Sequence, residues 1–318
     1  GGNGLGAVAN NFKISAFDTT ISQYVDFLNG SYAGKYDKYG VWNTSIGTGQ
    51  QGITSGIKQT LDPVTGTYSY TLNNTANYDY TNKPVNFVNW FSAARFVNWH
   101  SNNMDAAATA TETGSYTLDG KTTGDIVPRN ANAKIFLPSA DEWNKAAFYN
   151  SDTQSYYLWG TSSDVRPTAV LPTGNTPVTD ANSANWRDSR LSNTVRMTDV
   201  GTYVNTKSPY GLFDMFGNVT QMTDTSGTGA NAGFFQAFGG SFATTTVQSS
   251  TWNSNSVGDF RAGAPSTLGV GTATIGFRVA AFVVPEPGNM VAAAIGIGGL
   301  IGFQIMKRRK LALARAAG

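Results

Sequence analysis

Apolar and polar residues alternate over Phe12-Lys13-Ile14-Ser15-Ala16, which predicts a short strand with one buried face. The period then changes. Ile21, Tyr24, Val25 and Leu28 follow the i, i+3, i+4, i+7 spacing of a helix face, Asp18-Thr19-Thr20 supplies a cap, and Gly30 stands where the helix is expected to stop. Residues 31–83 hold several short β-like stretches rich in Tyr, Gly, Thr and Asn. A second helix is predicted over 91–100, with Phe91, Ala94, Arg95 and Asn98 on one face and Phe96, Trp99 and His100 on another. A third follows Leu137-Pro138-Ser139, where Ser139 and Glu142 fit a capping box and Trp143, Ala146 and Ala147 form the apolar face. From 150 to 284 the pattern gives loops and short strands, ending in Ile275-Gly276-Phe277-Arg278. No internal repeat interrupts this order.

The last 34 residues follow another pattern. Pro285-Glu286-Pro287 precedes an apolar run over 290–306 whose only polar member is Gln304, and Lys307, Arg308, Arg309 and Lys310 follow. At about 1.5 Å per residue the run is just long enough to reach across a hydrocarbon core, and the basic cluster sets the cytoplasmic side. A transmembrane helix is expected there, with the body outside. The three-part order resembles the PEP-CTERM sorting signal of bacterial exported proteins. That resemblance implies an exosortase-type processing protease as partner and delivery to the cell envelope or surface. The opening GGNGLGAVANNF has no basic, then apolar, leader, so an exported protein is expected to be seen here after leader removal.

Composition narrows the chemistry. The 318 residues contain no Cys and one His, so disulfides, thiolate metal sites and paired-His metal sites are excluded. Charged residues make up 13%, and the polar surface must come from Asn, Thr, Ser, Gly and Gln. Five of the 22 basic residues and one of the 20 acids lie beyond residue 284, which leaves 17 against 19, or −2, for the body. With no basic stripe, nucleic acid is not an expected partner.

Five segments occur in a telling order: PVNFVNWFSAARFVNWHS (84–101), FLPSADEWNKAAFY (136–149), YGLFDMFGNVTQMTD (210–224), FGGSF (238–242) and IGFRVA (275–280). Together they resemble the formylglycine-generating-enzyme-like domain, or sulfatase-modifying-factor fold. The resemblance implies an α+β fold, a variant of the C-type-lectin-like fold with few helices, small antiparallel sheets and much irregular chain. Residues 1–284 would form this domain and 285–318 the sorting tail with its transmembrane helix.

The family's enzymes oxidise a substrate Cys to formylglycine with two cysteines that bind Cu(I), a soft-metal site. The resemblance puts Thr244 and Ser249 near those positions, and neither hydroxyl replaces a thiolate. An iron relative needs several His, and only His100 exists. The resemblance also implies structural calcium. Asn218 keeps one ligand position, Gln221 replaces the family's Glu, and Asn185-Trp186 match part of a second site, with Ser192 nearest its missing Asp. No other cofactor is expected.

The remaining candidates favour structural roles. His100 suits a helix end better than a general base, Asp141 and Glu142 suit capping, and Arg278 suits bracing of a core carboxylate. The run Tyr156-Tyr157-Leu158-Trp159 suits core packing better than a sugar cleft. Asn29, Asn43, Asn73 and Asn218 begin N-x-[ST] triplets, which chance supplies in a chain this rich in Asn. The expected function is an exported, non-catalytic binding or structural module. Its candidate ligand loop is 243–272, with Trp252, Asp259, Phe260 and Arg261 as contacts for a glycan or peptide. A self-assembling coat or filament subunit is the alternative, and an oxidoreductase of the family is disfavoured.

Overall fold

The computed structural model describes residues 5–34, 37–48, 56–76, 78–172, 176–186, 197–227, 233–244, 258–260 and 273–283. The sorting tail, including Pro285, Glu286, Pro287, Lys307, Arg308, Arg309 and Lys310, lies outside them, as do Ser192, Ser249, Trp252 and Arg261. Among the described residues no helix is long and apolar enough to cross a membrane.

Strand β1 (Phe12–Ile14) leads into α1 (Ile21–Ser31) and a short α2 (Thr44–Thr48). A hairpin of β2 (Ile57–Leu61) and β3 (Tyr68–Leu72) precedes α3 (Trp90–Ser101), a 3-10 turn at Ala108–Thr111, β4 (Ile135–Phe136) and α4 (Ala140–Phe148). Two-residue strands β5 (Tyr149–Asn150), β6 (Ser155–Tyr156), β7 (Thr168–Ala169) and β8 (Ser183–Ala184) follow. The described residues end with β9 (Thr220–Ser226), β10 (Phe235–Phe238), β11 (Gly258–Phe260), β12 (Ile275–Gly276) and β13 (Ala280–Phe282).

Local chemistry sets the helix starts. Thr20 accepts from the Gln23 amide while the Gln23 side chain accepts from the Thr20 amide, and Ser139 and Glu142 repeat the exchange at α4. Each box satisfies two otherwise orphaned donors. Helix α1 does not stop at Gly30 as expected but runs to Ser31 and is capped at Tyr32. Gly30 serves packing instead, since a Cβ there would lie 2.6 Å from the Trp99 ring. Helix α3 has no separate apolar and polar faces: all of Trp90 to Trp99 is buried. Its polar members are matched, Asn98 bonding the Thr111 and Tyr116 carbonyls and the Tyr116 amide.

A three-stranded sheet in the order β1-β13-β4 joins the two ends of the domain, with Phe12 opposite Phe282. A four-stranded sheet runs β11-β10-β9-β12, with β12 parallel to β9 and the other pairs antiparallel. Strand β9 was not legible as a strand. Its sequence, TQMTDTS, shows no alternation, yet Thr220 to Thr223 are all buried because the strand is central. Thr223 meets this by donating to the Gln236 carbonyl at 2.7 Å. The largest apolar cluster lies between α1, α3 and the β2–β3 hairpin. A second surrounds Trp143 on α4 with Phe238, and a third joins Trp159, Trp186 and Phe216.

Candidate functional site

The segments that carry the resemblance converge around β9 and β10. Gly217 has φ +88, and a Cβ there would lie 2.5 Å from the Asn185 carbonyl, so this approach requires glycine. The Gly217 amide donates to the Gly239 carbonyl and the Phe242 amide to the Asn218 carbonyl, which clasps the Gly-Asn segment to Gly-Gly-Ser-Phe. Thr244 stands just beyond. Its hydroxyl accepts from the Ser241 amide at 2.9 Å and its own amide donates to the Ser241 carbonyl. Thr244, expected near the family's thiolate position, therefore closes a turn.

Of the residues expected to hold calcium, Asn218 and Gln221 already spend their side-chain oxygens on protein donors. Asn218 and Asn185 do come together, with the Asn218 Oδ1 accepting from the Thr198 amide at 3.1 Å and from Asn185 Nδ2 at 3.4 Å. Asn218 Nδ2 donates to the Thr198 carbonyl. The Trp186 indole donates to the Pro167 carbonyl at 3.2 Å. Gln221 is fully buried; its Oε1 accepts from Trp143 Nε1 at 2.6 Å and Arg278 Nε at 2.7 Å, and its Nε2 donates to the Asp214 carbonyl at 2.6 Å. An oxygen already facing two donors, one of them cationic, is a poor ligand for a hard cation. The Gln221 environment therefore does not fit calcium, and among the described residues no cluster of three acidic or His side chains could hold a metal.

Arg278 is the centre of this arrangement. It lies between β12 and β13. Besides Gln221 it donates to the Ser15 carbonyl, Asp18 Oδ1 and the Phe213 carbonyl at 2.9–3.0 Å. Three other segments, at 15–18, at Phe213 and on β9, are thereby fixed by one guanidinium. Burial pushes the Asp18 carboxyl up to about 8, against the pull of Arg278 and with a further push from Asp214. Burial likewise raises Asp214 to about 6, opposed by the Gly201 amide and Arg278.

A second polar centre escaped the sequence. Arg129 bonds both oxygens of Glu142, Asp224 Oδ2 and the Leu137 carbonyl, and its guanidinium lies 3.6 Å from the Phe136 ring centre. A third pairs Arg95 with Glu112 through two bonds, with Tyr39 stacked on the guanidinium at 4.0 Å. Asp141 accepts from the Gly6 amide, so Asp141 and Glu142 hold different parts of the chain.

Part of the expected ligand loop is a strand. Asp259 and Phe260 lie on β11, opposite Gln236 and Phe235 of β10, so 258–260 forms a sheet edge and not an irregular loop. Trp159 is core, 5.0 Å from the Phe216 ring, and Tyr156 packs on Tyr149. Three of the four Asn triplets are spent on structure: Asn29 bonds the Tyr70 amide and carbonyl, Asn43 caps α2 at Ser45 and Ile46, and Asn218 is described above.

His100 sits near the end of α3 against the rings of Phe96 and Trp99, and burial lowers its pKa to about 4. Folded protein stays neutral at this position where the unfolded chain, titrating near 6.5, takes up a proton. The His100 term is then complete above pH 6.5 and is lost as pH falls toward 4, by up to about 3 kcal/mol. Urea titrations of wild type and His100→Gln between pH 7 and 4 should show the wild type losing more stability; parallel curves would contradict burial of the imidazole.

A family model described as the sulfatase-modifying factor enzyme 1-like domain matches residues 6–282. No curated protein matches the chain. Among solved structures, the chain is similar to CarF, at 18% identity and a TM-score of 0.51 over 86% of this chain and 87% of that one. It also matches Treponema denticola variable protein 1 at 18% identity and a TM-score of 0.42, over 66% of this chain and 74% of that one. PvdO from Pseudomonas aeruginosa matches at 14% identity and a TM-score of 0.36, over 67% and 68%. The clasp of Gly-Asn on Gly-Gly-Ser-Phe, the braced Gly-Phe-Arg segment and the family model over most of the chain agree: the protein belongs to the family of sulfatase-modifying factor enzyme 1-like domains.

Proposed function

We propose that the protein is an exported, non-catalytic module that binds a ligand on a formylglycine-generating-enzyme-like scaffold. The observation that carries this reading is Thr244. Where the family's first copper thiolate would stand, a hydroxyl closes a backbone turn, and the 318 residues contain no Cys. Copper-thiolate oxidation thus has no ligands here, and fold alone does not confer an activity. The polar residues beneath the site are bound to one another, as suits a rigid scaffold that displays a variable surface. The candidate contact segment is 243–272, in which β11 carries Asp259 and Phe260, with Trp252 and Arg261 as further candidates.

Delivery rests on the tail. The Pro-Glu-Pro segment, the apolar run 290–306 and the basic cluster 307–310 support recognition by an exosortase-type protease at the membrane and placement at the cell envelope or surface. Deleting 285–318 in the producing cell should abolish surface delivery, and unchanged delivery would reject the sorting role.

Glycan and peptide arrays probed with the full chain test the binding role, with Trp252→Ala and Arg261→Ala as contact variants. A retained ligand whose binding falls at least tenfold in these variants supports the reading. Formylglycine formed from a Cys-containing peptide with added copper would overturn it. Concentration-dependent ordered polymers in light scattering and electron microscopy would replace it with a coat or filament subunit.

A further inference from the structure

Arg278, Asp18 and Asp214 place one cation and two carboxyls in the interior. The side chains of Asp18 and Arg278 are both 0% exposed. Arg278 spends four of its five N–H donors here: Nε reaches Gln221, Nη1 the Ser15 carbonyl, and Nη2 both Asp18 Oδ1 and the Phe213 carbonyl. Asp214 follows Phe213, has a left-handed backbone at φ 56, and accepts the Gly201 amide on Oδ2 at 2.7 Å. Asp18 is asymmetric. Its Oδ1 receives Arg278, but its Oδ2 is buried and meets no donor among the described residues. A buried anionic oxygen without a donor is costly, and a second carboxylate nearby raises the cost. A neutral carboxyl hydroxyl there costs far less. With both carboxyls ionised the cluster carries −1; with one proton it is neutral.

We propose that Asp18 holds a buried proton at neutral pH, and that losing it at alkaline pH weakens the latch between the 15–18 segment and the 199–214 segment. The groups facing the latch are few. The 199–214 segment contributes Asp214, the Tyr203 phenol, which burial and Asp214 both push up, and Lys207, which lies 4.7 Å from the Phe213 ring centre. Its far end is pinned by the Lys83–Asp199 ion pair. The 277–279 segment contributes Arg278, and β9 contributes the uncharged Gln221. A Glu at 221 would add a third carboxyl to the one guanidinium, so the amide suits a cluster that already carries one acid too many.

Burial holds the folded Asp18 carboxyl up to about 8, while the unfolded chain titrates near 3.8. Between those values the folded protein keeps a proton that unfolding releases. Stability is therefore highest at the acid end and falls as pH rises. One proton corresponds to a tenfold fall in the folded-to-unfolded ratio per pH unit. The unfolded-state titration of His100 near 6.5 and that of folded Asp214 near 6 are largely spent by about pH 7.5, and both are shared by the wild type and Asp18→Asn, so the difference between the two isolates Asp18.

The test is urea unfolding of the full chain from pH 6.5 to 9, for wild type and Asp18→Asn, each with calcium and with chelator. Between pH 7 and 8 wild type should lose about fivefold in the ratio, whereas Asp18→Asn, which mimics the protonated acid, should lose none there. Infrared spectra of wild type at pH 7 should show a protonated-carboxyl band that vanishes above pH 9. If Asp18→Asn does not fold, that band in wild type decides. A flat wild-type profile, absence of the band, or a slope abolished by calcium would overturn the proposal, the last by showing that a cation, not a proton, neutralises the cluster.

Discussion

Replacing Arg278 by Met should cost the protein a large share of its stability at neutral pH. Its guanidinium is fully buried, bonds two side chains and two main-chain carbonyls, and ties β9 to the segments at Ser15, Asp18 and Phe213. Removing one partner of a buried ionic network commonly costs about 3–5 kcal/mol, because the others stay desolvated. A domain of ordinary stability has about 5–15 kcal/mol to lose. Arg278→Lys should rescue little, since one ammonium cannot reproduce a planar fork aimed at four acceptors. The check is the urea midpoint of the full chain followed by Trp fluorescence. At about pH 9, where Asp18 is ionised in the wild type, the double variant Arg278→Met/Asp18→Asn should recover part of the loss, because it removes the acid the arginine faced. Strict additivity of the two single effects would show that they do not share a network.

The sequence made legible what depends on neighbours along the chain. Both capping boxes could be read because their partners are three residues apart, and the apolar face of α4 could be read from its period. The role of Arg278 as a brace could be inferred, but its carboxylate lies 260 positions away and no spacing rule reaches that far. Strand β9 failed for a different reason. A central strand built from Thr, Gln and Met hides its burial, because hydrogen bonds replace the apolar alternation that normally marks an inward face. Gly30 misled because a glycine chosen for contact with Trp99 looks the same as one chosen to end a helix. At the candidate site, the loss of the thiolates was plain from composition. The turn made by Thr244 and the strand at 258–260 were not, since both depend on long-range or main-chain pairing. Arg129 gave no signal at all, being a lone basic residue in an irregular stretch.

That same Arg129 is expected to be nearly as costly to lose as Arg278. Arg129→Met would leave Glu142 and Asp224 facing each other beside Tyr116, whose hydroxyl also donates to Asp224 at 2.9 Å. Glu142 would keep its capping bond to the Ser139 amide at 2.7 Å, so α4 itself should still form. The damage should fall on the packing of α4 against β9, at about 3–5 kcal/mol at pH 7. Methionine fills much of the arginine's volume over Phe136, so the loss reports charge more than cavity. Burial already raises the Asp224 carboxyl, and removing its cation raises it further. The folded variant then holds a proton that its unfolded form releases above about 3.8, so its stability improves as pH falls from 7 toward that value. The gap between wild type and Arg129→Met should accordingly narrow between pH 7 and pH 5 in urea titrations. An equal deficit at both pH values would mean that the arginine acts through packing on Phe136, and that the two carboxylates were never held by its charge.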